Sequence, residues 1–381
     1  MEIPVSYEIL RLVWWGLLGV LLIGFALTDG FDFGVAGLLP VVSRTNTERM
    51  IAINSIAPVW EGNQVWFILG GGAIFAAWPL VYAVSFSAFY LAMFVVLAAL
   101  IIRPVAFKFR NDRADPRWRR LWDWGLFVGG VVPPLIFGVA VGNVLQGVPF
   151  RFDDELRAFW EGGFFGLLNP FALLCGLLSV SMIFLHGAVW LSLKTEHGPV
   201  RDRARALAPL FGGLSIALFA IGGLWMAFGD AGYVQVAAVD PNGPSNPLLT
   251  QTAAEGGAWM RNYAAHPWTL IAPVLGFGGA ALAIAGVRMD SETIAFAGSN
   301  LSVFGIISTV GVSMFPFILP SNIDPNSSLT VWNASSSHLT LFVMLIVTVV
   351  LLPIVLAYTA WAFRIMWGRV TTEEVTAGDH Y

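Results

Sequence analysis

Apolar stretches of twenty or more residues, separated by short clusters of charge, recur along the whole chain. Each stretch is long enough to cross a hydrocarbon core about 30 Å thick as an α-helix. In a bilayer the backbone must satisfy its own hydrogen bonds, which leaves helices or a closed barrel, and runs of this length are helical. Only 12% of the residues are charged and 57% are apolar, against roughly 25% charged for a soluble domain. A soluble enzyme is excluded, and an all-α polytopic membrane protein with a single integral-membrane domain is predicted.

The apolar windows predict nine transmembrane helices, at about 9–42, 51–78, 80–107, 120–147, 164–193, 206–229, 268–287, 293–319 and 338–366. An odd number puts the termini on opposite sides. One face then carries Arg11, Arg151, Arg157 and Arg261, while the other receives the remaining sixteen of the twenty Lys and Arg residues, Arg103 among them. The positive-inside rule makes the richer face cytoplasmic, with the N-terminus outside and the C-terminus inside. The first stretch is too long for a cleavable signal peptide and lacks a small-residue cleavage site. As a continuous helix it would run about 50 Å, so it must tilt, break or emerge, and Gly30, Gly34, Gly37 and Pro40 offer places to do so. Prolines at 133–134, 170, 316 and 353 are expected to break later helices, and the polar segment 230–267 reads as an external loop packed on the helices or on a partner.

Of the 24 acidic residues, ten fall on the outer face and eleven on the inner, leaving Asp29, Asp32 and Glu61 within spans. The first turn centres near Asn46, so Asp32 and Glu61 stand at about the same depth in an antiparallel hairpin, with Asp29 one turn from Asp32 on the same face. A charge at that depth costs at least about 2.5–3.5 kcal/mol, so intramembrane acids face a polar interior and mark functional sites. Three of them cannot all ionise cheaply, and the cluster is expected to hold protons that move. The competing structural reading has the aspartates capping or bending the helix end. Pro58 and the polar run Trp60-Glu61-Gly62-Asn63-Gln64 weigh against it, because a lipid-facing helix does not tolerate such polarity.

A redox cofactor would need ligands. Of five histidines only His186 lies within a span, and one buried histidine is more often a core residue than half of a haem pair. The lone Cys175 offers no disulfide or metal framework, and no metal site is expected. Most of the sixteen Trp residues sit at span ends, including Trp14, Trp78, Trp124 and Trp332, as in an interfacial belt. Trp60 and Trp66 fall within a span, where their rings could line a cavity for a flat isoprenoid ligand. The seven cations between Arg103 and Arg120 chiefly fix topology, with contact to anionic lipid as a second use.

Several blocks resemble subunit II of the cytochrome bd quinol oxidases: GFALTDGFDFG at 24–34, NSIAPVWEGNQVW at 54–66, RPV at 103–105, GNVLQGVP at 142–149, LLNPF at 167–171, MFPF at 314–317 and SLTVWNAS at 328–335. They run from the first helix to the last. The resemblance implies two four-helix bundles plus a peripheral helix, in a heterodimer that oxidises quinol at the outer face and reduces dioxygen to water in the aerobic respiratory chain of the bacterial inner membrane. It takes protons from the cytoplasm without pumping. The resemblance also implies that two b-type haems and one d-type haem sit in a partner, subunit I, and that this chain holds no catalytic residue. Its tasks would be to stabilise subunit I, to bind a quinone in some members and to offer a proton path. Asp29, Asp32 and Glu61 match the family's proton-route acids, with Glu61 where relatives often carry Asp; Trp60, Asn63, Gln64 and Trp66 are the pathway or quinone-cavity neighbours. Small accessory subunits and membrane lipids are further expected partners, and nucleic acid is not. Two other readings stay open at this point: an independent proton-coupled transporter and a purely structural scaffold.

Overall fold

The computed structural model describes residues 3–377, so His380 lies outside the described residues. Thirteen helices follow in order: α1 Tyr7–Val42, α2 Asn46–Asn54, α3 Trp60–Ala77, α4 Pro79–Ala88, α5 Tyr90–Phe109, α6 Pro116–Gln146, α7 Pro170–Lys194, α8 Pro199–Phe228, α9 Arg261–Ala265, α10 Ile271–Arg288, α11 Glu292–Met314, α12 His338–Ile365 and α13 Thr372–Ala377. Eight of the nine predicted spans contain a helix long and apolar enough to cross a membrane.

The second predicted span is not one helix. The chain turns at 55–59, around Pro58, and splits 51–78 into α2 and α3. Glu61, Asn63 and Gln64 keep α3 from being apolar throughout, yet it runs antiparallel along most of α1. Asn63 lies against Thr28 and Asp32, Trp66 against Gly24 and Leu22 against Gly70. The far end of α3 is tied through Ser336 to the start of α1, since the Ser336 N–H donates to Ala77 O and Tyr7 Oη donates to Ser336 O. Helix α3 is the ninth long rod of the fold among the described residues, though not one of the eight helices apolar enough to cross a membrane on length and composition. The third predicted span is likewise divided, at Phe89, into α4 and α5.

Proline positions explain the other differences from expectation. Pro116, Pro170 and Pro199 occupy the first turns of α6, α7 and α8, where a missing N–H is harmless and the fixed φ suits a helix. The fifth span therefore starts at 170, with Asn169 as its N-cap, instead of breaking there. Pro133, Pro134 and Pro353 sit inside continuous helices, and Pro316 lies beyond the end of α11. Nor does α1 break at its glycines. They bring neighbours close instead: a methyl group at Gly34 would fall 2.3 Å from the Ile183 carbonyl oxygen.

The helices group as α1, α3, α5 and α6 on one side and α7, α8, α10 and α11 on the other, joined where α7 packs on α1 and α6. Only Leu341 of α12 is buried, so α12 is the peripheral helix. It is held at both ends. Trp14 Nε1 donates to Leu341 O at one end, and Lys194 Nζ donates to Met366 O and Gly368 O, each at 2.7 Å, at the other.

The face that holds the N-terminus is capped by three two-stranded ribbons, β1–β2 (Phe150–Phe152, Ala158–Trp160), β3–β4 (Tyr233–Gln235, Thr252–Ala254) and β5–β6 (Phe317–Leu319, Leu329–Thr330). Segment 230–267 packs on the helix ends: Trp259 Nε1 donates to Leu145 O, and Tyr233 Oη to Gln146 O. Arg11 is buried beneath this cap and donates to Pro241 O, Gly243 O and Ser335 Oγ. Trp14, Trp78 and Trp332 are also buried here, not exposed as a belt, whereas Trp124 is exposed.

Ion pairs tie the opposite face together, among them Arg203–Glu48 and Arg201–Glu292. Glu48 completes a capping box with Thr45 at the start of α2. The Arg203 hydrogen bond, aided by the backbone N–H groups of Arg44 and Thr45, holds the Glu48 carboxyl below its ordinary value of 4.5. Such a group stabilises the fold above its unfolded value and loses that contribution as pH falls through the folded one. Wild type should therefore melt above Glu48→Gln at neutral pH, with the gap closing on acidification below 4.5. Orientation can be read by impermeant maleimide on intact cells: Leu249→Cys should label and Ala114→Cys should not.

Candidate functional site

The buried stripe of α3 runs Trp60, Asn63, Trp66, Gly70, Ala73 and Ala77, at helical spacing. Its Asn63 end meets Asp32, near the start of the stretch Asp29–Leu39 of α1, which is buried at every position. Asp29 and Asp32 are both 0% exposed and lie roughly 15–20 Å from the end of α1 at 1.5 Å per residue.

Two neighbours meet these acids. Arg103 of α5 is 1% exposed, and its Nη2 stands 2.5 Å from Asp29 Oδ1. Asn63 Nδ2 donates to Asp32 Oδ2 at 2.8 Å and, less closely, to Thr28 O at 3.3 Å. The guanidinium lies 4.3 Å over the Phe33 ring and 6.0 Å from the Trp60 ring, which itself stacks on Phe107. Gly129 of α6 makes room for the arginine stem, since a methyl there would approach Arg103 Cγ to 2.9 Å.

Sequence reasoning placed Arg103 at the cytoplasmic face, and the structure corrects this. The cation sits in the interior as the counter-ion of Asp29. Its signal was present, because Arg103 is flanked by Leu100-Ile101-Ile102 and Pro104-Val105-Ala106, six residues short of the end of α5. Glu61 is the second correction. It does share the depth of Asp32, as predicted, but the turn around Pro58 sets the phase of α3 so that Asn63 faces the acids and Glu61 is exposed. Its side of α3 also bears Val65 and Ile68, at 44% and 68% exposure. Gln64 is half-buried, with no hydrogen bond to the acids. Trp60 and Trp66 are buried, Trp60 beside Arg103 and Trp66 against Gly24.

The cluster is electrostatically incomplete. Two carboxyl groups share one guanidinium, so ionising both leaves an uncompensated negative charge in the interior. Arg103 Nη1 and Trp60 Nε1 are buried donors without an acceptor, and Asp29 Oδ2 and Asp32 Oδ1 are buried without a donor, while the two carboxyls lie within hydrogen-bond reach of each other. Buried polar groups are almost always paired, and a proton shared between the two carboxyls would pair their free oxygens. His186 of α7 is differently placed: Nε2 bonds Leu27 O and Nδ1 bonds Ser299 Oγ, each at 3.0 Å, so both ring nitrogens are engaged. No group of three or more His, Cys, Asp or Glu side chains suited to a metal ion occurs among the described residues.

Two helical bundles, a peripheral helix and a buried Asp–Arg–Asp cluster define a polytopic membrane subunit with ionisable groups in its interior. Residues 10–366 match the family described as cytochrome bd terminal oxidase subunit II, and the chain belongs to that family. It is 50% identical over 376 residues to cytochrome bd-I ubiquinol oxidase subunit 2 of Escherichia coli K12, covering 99% of both chains. It is 49% identical to the probable cytochrome oxidase subunit 2 of Haemophilus influenzae, again over 99% of both. Cytochrome bd ubiquinol oxidase subunit 2 of Bacillus subtilis is 30% identical, over 95% of this chain and 97% of that one. In fold the chain is similar to a chain of the bd oxidase structure from Geobacillus thermodenitrificans, with a TM-score of 0.68, 15% identity and coverage of 93% and 98%. It is a multi-pass protein of the bacterial inner membrane and a subunit of a membrane-bound oxidase complex.

Breaking one side of a buried ion pair costs about 3–5 kcal/mol. Arg103→Leu, which strands two acids, should lower the melting temperature of the purified complex most. Asp29→Asn should cost less because Asp32 remains to balance the guanidinium, and thermal unfolding of the two variants side by side reads the order.

Proposed function

We propose that this chain is the haem-free subunit of a bacterial quinol oxidase, that it stabilises a haem-bearing subunit I, and that its Asp29–Arg103–Asp32–Asn63 cluster holds and passes protons drawn from the cytoplasm. The observation that carries the reading is two fully buried carboxyls within hydrogen-bond reach of each other that share one buried guanidinium. Reducing one dioxygen to two waters consumes four electrons and four protons. Quinols release their protons where they are oxidised, so a separate route must bring protons to the oxygen, and titratable groups within the membrane are what such a route needs.

One proton on the two aspartates makes the cluster neutral with Arg103. Two protons, or none, leave a net charge of one unit in a low-dielectric interior, so the site favours the singly protonated state and changes it one proton at a time. A proton shared between the two carboxyls would complete their hydrogen bonding, with Arg103 Nη1 and Trp60 Nε1 left as donors for water. Glu61 extends the route outward. A carboxyl exposed at this depth between apolar neighbours is costly against lipid, which supports a partner surface over α3, with Glu61 relaying protons across it.

The relatives named as ubiquinol oxidases support a quinol as electron donor to the complex. Both nitrogens of His186 are engaged, which supports placing the haems in subunit I. Trp60 and Trp66, with Asn63 and Gln64 beside them, are the residues that a quinone bound in this subunit would meet. Membership of an oxidase family leaves the independent-transporter reading without support.

Asp32→Asn keeps shape and hydrogen bonding while removing the proton site. Oxygen consumption by the reconstituted oxidase should fall at least about tenfold, equivalent to 1.4 kcal/mol on the limiting barrier, with the haem spectrum unchanged. Normal turnover in both Asp32→Asn and Glu61→Gln would establish a scaffold role instead.

A further inference from the structure

On the face opposite the ribbon cap, a cleft of about 190 Å³ opens between the last turn of α1, α2 and the start of α6, lined by Leu39, Pro40, Arg49, Arg120, Asp123 and Trp124. Its charges do not balance. Both oxygens of Asp123 are taken, Oδ2 by Arg49 Nη1 and Oδ1 by Arg110 Nε, each at 2.6 Å. Arg49 keeps a buried Nε without a partner, and Arg120 is exposed with no ion pair among the described residues. Three guanidinium groups against one carboxylate leave an excess of two positive charges around the cleft.

The surroundings are apolar. Val41 and Leu121, next in sequence to the lining residues Pro40 and Arg120, are 55% and 60% exposed, and Trp124, at the cleft wall, is 55% exposed. The cleft lies where α1 and α6 leave the membrane, on the face that the charge bias makes cytoplasmic. We propose that it binds the phosphodiester headgroup of an acidic phospholipid, with Arg49 and Arg120 on the phosphate and the acyl chains laid over Val41, Leu121 and Trp124. Guanidinium groups suit this ligand because they present paired donors to phosphate oxygens, and tryptophan favours the headgroup level. The shared chemistry is a phosphate oxyanion; the exposed apolar rim selects the lipid over the free ion. This inference is independent of the proton route.

The test uses the intact two-subunit oxidase in detergent, stripped of lipid and titrated with phosphatidylglycerol, phosphatidylcholine or inorganic phosphate, with bound lipid counted by native mass spectrometry and melting temperature followed in parallel. Phosphatidylglycerol should bind and raise the melting temperature. Arg120→Gln should weaken that binding about fivefold, since a basic residue near an anionic lipid contributes about 1 kcal/mol. Arg113→Gln, which removes an exposed cation outside the cleft, should not. Because Arg120 has no partner to lose, its variant should match wild type in haem content and lipid-free melting. Equal retention of phosphatidylcholine, equal loss in Arg113→Gln, or no loss in Arg120→Gln would overturn the proposal. An inorganic phosphate response matching that of phosphatidylglycerol would show a free-anion site and overturn the lipid assignment.

Discussion

A charged arginine inside a membrane protein needs a fixed counter-charge, and the contact between Arg103 and Asp29 supplies it. Much of the first bundle is arranged around that need. Burying either ion alone would cost several kcal/mol, so α1 and α5 must each deliver their residue to the same depth. Gly129 of α6 admits the arginine stem, and the stripe of α3 brings Asn63 to the second aspartate. Four helices are thus held in register by one cation. The second carboxylate has no such counter-charge, which makes the centre adjustable as well as structural.

The closeness of the helices follows a similar logic. With no hydrophobic driving force between spans in lipid, contact comes from packing, and small residues let backbones approach. Gly34 meets Gly187 where α1 crosses α7, so the second bundle leans on the same helix that carries the acids. His186, one residue earlier in α7, bonds the Leu27 carbonyl of α1 at that crossing. It acts as a strut between bundles.

Legibility in the sequence followed the strength of the local signal. Spans with long uninterrupted apolar runs appear close to their predicted bounds, α12 within one residue and α10 within three, because length and hydropathy alone decide them. The splits at 55–59 and at Phe89 were hidden, since a short turn between apolar segments scarcely alters a window average. Asp29 and Asp32 were legible because so little else in the chain is charged. The side of α3 on which Glu61 falls was not, because depth depends on counting residues from a turn whereas facing depends on the angle at which the helix restarts, and the residues after Pro58 set that angle. Arg103 was grouped with the topology signal because an arginine near a helix end ordinarily reaches for the interface; only the aspartate opposite it, 74 positions earlier in sequence, decides otherwise.

The clamped peripheral helix has a mechanical consequence. α12 is anchored to the body near Leu341 and again just past Ile365, with almost nothing buried between. Its 28 residues therefore form a strut of about 42 Å at 1.5 Å per residue, fixed at both ends. Adding or deleting a single residue would turn one anchor by about 100° relative to the other and shift it 1.5 Å along the axis. The helix acts as a gauge. The spacing between the two faces of the protein is written into its residue count, and a bilayer of another thickness must adjust to the protein.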